Sequence, residues 1–320
     1  MLALSGGVGG AKLALGLAKV VAPGCLTVVA NTADDFIHLG LYISPDLDTL
    51  IYTLAGLENP ETGWGRRDET WSFMESLGQL GGETWFRLGD RDLAMHVERT
   101  RRLSLGHRLS EITRDTTARL GVPTRLLPMS DNPVRTVLAT NEGMLEFQRY
   151  FVERKCTPQV TSIIFAGSED AVALPDVLAA ISDPSLSAIV VCPSNPCISV
   201  NPILAVPGIR DALRQAPAPV IAVSPIISGK AVKGPTAKMM RELGLAVDAA
   251  APASLYADFL DGFIVDHADR SLVSRVPVPA MTAQTLMRTL QDRMALAHVV
   301  IEFADALRRD GRARSRSASA

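Results

Sequence analysis

Ser5-Gly6-Gly7-Val8-Gly9-Gly10-Ala11-Lys12 sets four glycines and a lysine between a short apolar run (Leu2–Leu4) and an apolar-rich stretch carrying Leu13, Leu15, Leu17, Ala18 and Val21. Glycine lets the backbone take positive φ and lets a ligand come close. A helix that starts there aims its free N–H groups and positive dipole end at the loop. This pattern predicts a nucleotide or diphosphate site, with Ser5, Gly6, Gly7, Gly9 and Lys12 as its contacts. The loop matches neither common fingerprint. A Walker loop needs Gly-Lys followed by Ser or Thr, but Ala11 and Leu13 flank Lys12. A dinucleotide fingerprint read from Gly7 puts Lys12 where a third small residue belongs. The second strand then runs into Asn31-Thr32-Ala33 rather than a ribose-binding acid. The alternative is a glycine-rich turn without a ligand.

Further polar clusters follow other apolar runs. Asn31-Thr32-Ala33-Asp34-Asp35-Phe36-Ile37-His38 closes the second one, where ligands of parallel sheets collect. A surface turn would use the same residue types. In Ile43-Ser44-Pro45-Asp46-Leu47-Asp48, Ser-Pro signals a helix start, and acids in a first turn suit the helix dipole. The sharper reading is that an aspartate here orients a substrate hydroxyl or holds Mg²⁺, which one or two carboxylates and substrate phosphates commonly bind. Asp34 and Asp46 are the expected metal ligands. Arg87-Leu88-Gly89-Asp90-Arg91-Asp92 offers guanidinium groups that pin a phosphate or stack on a flat ring. Its plainer reading is a helix start with Asp90 as N-cap. Cys192–Ser199, Val223–Lys230 with Lys233-Gly234-Pro235, and Met129–Pro133 add small polar residues at the same expected edge, so a long ligand groove is predicted there. Ser-His-Asp, H-E-x-x-H and C-x-x-C signatures are missing. The five histidines show no metal spacing, and His96 and His107 read as surface residues. Positioning and charge neutralisation, as in phosphoryl transfer with Mg²⁺, are favoured over covalent or zinc chemistry.

The elements that must hold these groups alternate. Strands are predicted at Leu2–Leu4, Leu26–Ala30, Thr161–Phe165, Ala188–Cys192 and Val220–Val223, all without polar alternation and so covered on both faces. Helices are predicted at Ala11–Val21, Leu174–Ile181, Gly208–Gln215, Thr236–Leu243 and Ala283–Leu307. The alternation implies an α/β, Rossmann-like parallel sheet. Residues from about 58 to 119, holding Trp64, Trp71 and Trp85, form a mostly helical insertion, and residues 1–307 a single α/β domain.

Residues 308–320 are expected to be a disordered basic tail. The net charge of −2 is a tail of +4 on a body of −6, which argues against a nucleic-acid partner. No apolar run is long enough for a membrane helix, and the glycine-interrupted start is no signal peptide. Cys25, Cys156, Cys192 and Cys197 are expected as reduced thiols of a cytoplasmic protein. The sequence is compatible with a homodimer and fixes no oligomeric state.

Taken in order, these motifs resemble the 2-phospho-L-lactate transferase (CofD-like) family of coenzyme F-420 biosynthesis. Leu127-Pro128-Met129-Ser130-Asp131, Pro193-Ser194-Asn195-Pro196, Val223-Ser224-Pro225-Ile226-Ile227 and Asp258-Phe259-Leu260-Asp261 complete the set, which extends to about Asp269. The resemblance implies transfer of a phospho-acid from a guanosine diphosphate-activated donor to the ribityl hydroxyl of 7,8-didemethyl-8-hydroxy-5-deazariboflavin (FO), with release of GMP and with Mg²⁺ as metal. It implies that Asp48 and Arg87 contact the deazaflavin; Asp48 is then the expected catalytic group, holding the ribityl hydroxyl or acting as its base. It implies that the glycine loop and Ser194-Asn195 hold the guanosine diphosphate part. A nicotinamide-dependent oxidoreductase and a non-catalytic nucleotide-binding regulator are the rival readings.

Overall fold

Seven short strands pair side by side in parallel and carry the molecule. This computed structural model describes residues 1–311. In chain order the strands are β1 (Leu2–Ser5), β2 (Thr27–Ala30), β3 (Phe36–His38), β4 (Leu41–Ile43), β5 (Arg125–Pro128), β6 (Arg135–Thr140), β7 (Gly143–Glu146), β8 (Val160–Ala166), β9 (Ile189–Val191), β10 (Val220–Val223), β11 (Ile226–Ile227), β12 (Lys230–Ala231), β13 (Gly262–Asp266) and β14 (Ala280–Ala283). The main sheet runs β14-β13-β10-β9-β1-β2-β5. Strand order therefore reverses between β1 and β9, the switch point at which open α/β sheets bind ligands.

The helices are α1 (Gly7–Val20), α2 (Pro45–Leu54), α3 (Ser72–Gln79), α4 (Asp90–Ser104), α5 (Leu109–Arg119), α6 (Pro175–Ile181), α7 (Asn201–Ala205), α8 (Ile209–Arg214), α9 (Thr236–Glu242), α10 (Ala251–Leu255) and α11 (Leu290–Arg309). They cover both faces of the sheet, which is why its strands read as apolar throughout. Leu2 and Leu4 point to one side, among Val177, Ile181 and Ile209. Ala3, Val28 and Val190 point to the other, against Leu13 and Leu17 of α1 and Leu296 and Val300 of α11. Helices α3, α4 and α5 fall within residues 58–119.

Three expectations need correction. Thr161–Phe165 is a strand but not of the main sheet. It lies in β8, which pairs antiparallel with β6 in a separate three-stranded sheet. Ile164 there is 45% exposed, so a β-branched run here signals a one-sided sheet. The last helix starts at Leu290, not Ala283. Ala283 ends β14, and the Thr289 side chain accepts from Asp292 N to cap the helix. Apolar residues at Leu286 and Met287 mimic an earlier start. Third, Asp90 is not an N-cap of its own helix. Its carboxylate accepts from Ser72 N and Phe73 N, and so closes the start of α3. As for the expected tail, Arg308 and Arg309 end α11, and residues 312–320 lie outside the described residues. Among the described residues no helix is long and apolar enough to cross a membrane.

Candidate active site

The loop after β1 and the loop after β9 meet at the switch point. Gly6 N donates to Ser194 Oγ at 3.2 Å, and Gly7 N donates to Asp46 Oδ1 at 2.7 Å. Asn31, at the end of β2, links the same two sides. Its Nδ2 donates to Asp46 Oδ2 at 2.9 Å and to the Ile198 carbonyl at 3.3 Å. The glycines are needed for this closeness. A Cβ on Gly9 would stand 2.4 Å from the Pro193 carbonyl oxygen, and one on Gly10 2.4 Å from Ser5 Oγ. Asn195 holds its own loop by accepting from Cys197 N. Two of the expected phosphate-binding N–H groups are thus engaged by protein oxygens. Those of Val8 and Gly9, in the first turn of α1, have no intrahelical acceptor. Ser5 Oγ and Thr32 Oγ1 are buried without a hydrogen-bond partner. Buried polar atoms are rarely left so, and here they line the binding edge.

Three aspartates crowd this edge. Asp34, Asp35 and Asp46 are 5%, 1% and 6% exposed. Burial pushes Asp46 up to about 6 and Asp35 up to about 7. Burial, with Asp46 and then Asp35 nearby, holds Asp34 well above the usual carboxylate range. Thr136 Oγ1 donates to Asp34 Oδ1 at 3.3 Å. Like charges in a low-dielectric site need a proton or a cation. Among the described residues no group of three or more His, Cys, Asp or Glu side chains is disposed to hold a metal ion.

Lys12 does not point at the loop. Its Nζ donates to the Met287 carbonyl at 3.1 Å. Burial, together with Arg293 and Lys233, lowers its ammonium below the ordinary lysine value. Lys233, from the loop before α9, donates to the Thr62 carbonyl. Three cations therefore gather beside α1, of which sequence reasoning singled out only Lys12 for phosphate.

Arg87 and Asp48 lie on the other side of α2. The Arg87 guanidinium stacks on Trp71, 3.9 Å from the ring centroid. Trp71, Trp64, Arg66, Arg87 and Asp92 line one cleft. Trp85 is elsewhere, packed against Phe36, His38 and Phe86. Asp48 is buried beneath and gripped by Arg99 through both carboxylate oxygens. His96, expected on the surface, is 1% exposed and lies between Asp48 and Asp92. Of these two histidines only His107 is at the surface. Helix α2 connects the two sides: Asp46 reaches the glycine loop, and Tyr52 reaches Asp92 in the cleft wall at 2.5 Å.

The model of the 2-phospho-L-lactate transferase CofD family matches residues 1–304. The chain belongs to this family. It is 40% identical over 318 residues to a phosphoenolpyruvate transferase of Kitasatospora aureofaciens, covering 96% of this chain and 98% of that protein. It is 36% identical over 308 residues to a 2-phospho-L-lactate transferase of Methanocaldococcus jannaschii, covering 95% and 98%. A crystal structure of a UPF0052 family member from Bacillus halodurans has the same fold at a TM-score of 0.61, covering 94% of this chain and 97% of that one at 15% identity. Membership in the CofD family makes the chain a transferase, in place of the two rival readings, a nicotinamide-dependent oxidoreductase and a non-catalytic nucleotide-binding regulator.

Proposed function

We propose that this CofD transferase moves a phospho-acid from a guanosine diphosphate-activated donor to the ribityl hydroxyl of FO, in coenzyme F-420 biosynthesis. The observation that carries the reading is α2. One helix bears Asp46 on the glycine loop at the switch point and Asp48 and Tyr52 on the side of the Trp71–Arg87 cleft. Groups for donor and acceptor carried by one rigid helix keep a fixed relation to each other, which suits a reaction that depends on alignment. The hydroxyl oxygen forms a bond to the phosphorus bearing the acid. The bond from that phosphorus to the bridging oxygen breaks, and GMP leaves with that oxygen. Asp48 takes the hydroxyl proton. The Val8 and Gly9 N–H groups, Ser194 and Asn195 hold the diphosphate, with Lys12 and Lys233 adding positive charge beside it.

Asp34 and Asp46 would hold Mg²⁺, which would supply neutralisation of the diphosphate when bound. The fit is chemical: two hard carboxylates, both raised by burial and Asp34 also by Asp46 beside it, match a cation that takes one or two carboxylates and substrate oxygens. The acid is proposed to be enolpyruvyl, after the naming of the bacterial relatives; lactyl is the alternative. Purified protein incubated with FO and each donor, with products weighed by mass spectrometry, tests this directly. No FO adduct from either donor would refute the reading.

Guanine nucleotides should stabilise the fold more than adenine nucleotides. At about 100 times its dissociation constant, GDP adds roughly 2.7 kcal/mol. Thermal melts with GDP and ATP measure it, and equal shifts count against a guanosine donor.

Arg87→Lys should keep substantial transfer, and Arg87→Ala should raise KM for FO. Arg87 makes a stacked contact with Trp71, not a bidentate one, and a lysine ammonium also sits over an aromatic face. Lysine as damaging as alanine would mean that the fork geometry matters.

A further inference from the structure

Helix α4 bears Asp92, His96 and Arg99 at spacings of four and three, which puts them on one face. That face meets Asp48 and Tyr52 of α2, also four apart. The contacts form one chain. Arg99 brackets Asp48, with Nη1 3.1 Å from Oδ2. His96 Nδ1 lies 3.7 Å from Asp48 Oδ2, and Nε2 lies 3.2 Å from Asp92 Oδ2. The Tyr52 hydroxyl donates to Asp92 Oδ1. Arg99 is 3% exposed. A buried ion pair between helices is no more stabilising than apolar packing of the same volume, because desolvation offsets the attraction. What apolar packing does not provide is a fixed direction for a carboxylate.

We propose that Arg99 is a positioning residue for the acceptor hydroxyl: it acts through Asp48, while His96, with Nδ1 3.4 Å from Arg99 Nη1, packs between that ion pair and Asp92 in the wall of the Trp71–Arg87 cleft. The inference rests on the functional reading above, in which Asp48 meets the ribityl hydroxyl. A bidentate guanidinium uses two of the carboxylate's about four acceptor positions and leaves the others for a ligand. It also fixes the carboxylate plane, which a lysine ammonium does not.

A double-mutant cycle tests this on the full chain with FO and the guanosine donor. Arg99→Lys should lower kcat by about 10–10²-fold through misplacement of Asp48, with GDP stabilisation unchanged. In an Asp48→Asn background the same change should cost nothing further, because groups acting as a unit are not additive. An arginine that only holds the helices together would give equal losses in both backgrounds, and that result overturns the proposal. Should the lysine variant fail to fold, His96→Gln replaces it in the cycle, with the same two outcomes. No FO turnover by the wild-type chain overturns the functional reading and this inference with it. Turnover with additive losses overturns this inference alone.

Discussion

Asp48→Asn is expected to lower FO transfer by about 10²–10⁴, the usual cost of removing a general base. Stabilisation by GDP should stay at the wild-type value, because the groups beside the donor are Asp46, Ser194 and the glycine loop, on the other side of α2. The substitution also leaves the Arg99 guanidinium buried without its anionic partner. Breaking such a pair costs roughly 3–5 kcal/mol, so rates are compared per folded molecule, with the folded fraction read from circular dichroism. Wild-type turnover by the folded variant would reduce Asp48 to an ion-pair partner of Arg99. An acid in the first turn of α2 could serve the helix dipole alone, but that role asks for neither burial nor a bidentate clamp. A solvated carboxylate would do it as well.

Much of the scaffold was legible because its physics is local. β1, β2, β9 and β10 are short apolar runs that end in polar residues. The glycines in the first turn of α1 announce a close backbone approach, and the structure shows the cause in the Pro193 carbonyl against Gly9. β8 misled because Thr-Ser-Ile-Ile-Phe has the composition of a buried strand, while its sheet has an open face. The site was legible only in part. Asp46 and Ser194 stand where the pattern put ligand-binding residues, but Lys12 turns to the Met287 carbonyl, a partner 275 residues away. His96 and Arg99 were hidden for another reason. Helix α4 is so polar that it reads as solvent-facing, and only the presence of Asp48 and Tyr52 opposite makes burial of its charges tolerable. The spacing of Asp92, His96 and Arg99 was visible. Its meaning depended on a second helix, and one sequence does not say which helices touch.

The other large effect concerns the acids at the sheet edge. Asp34, Asp35 and Asp46 all have carboxyl groups raised in the folded state. A raised acid stabilises the fold fully below its unfolded value, and that stability is lost as pH rises through the folded value. For Asp46 and Asp35 those folded values are about 6 and about 7. The protein without metal or nucleotide should therefore lose stability between about pH 5 and about pH 8, by roughly 2–4 kcal/mol at one pKa unit per 1.36 kcal/mol. Mg²⁺ should reverse this, because it binds the ionised pair and competes with the proton. Its stabilisation should be small at the acid end of the range and large at the alkaline end. Asp34→Asn keeps a side-chain oxygen for the Thr136 hydroxyl while removing one charge. It should flatten the pH dependence, weaken the response to Mg²⁺ and lower transfer. Melting temperatures across pH, with and without MgCl₂, for wild type and this variant decide the matter. A wild-type protein that grows more stable toward alkaline pH without metal would mean that these carboxylates are already compensated by neighbours such as Arg135. A variant that responds to Mg²⁺ as wild type does would move the cation away from Asp34.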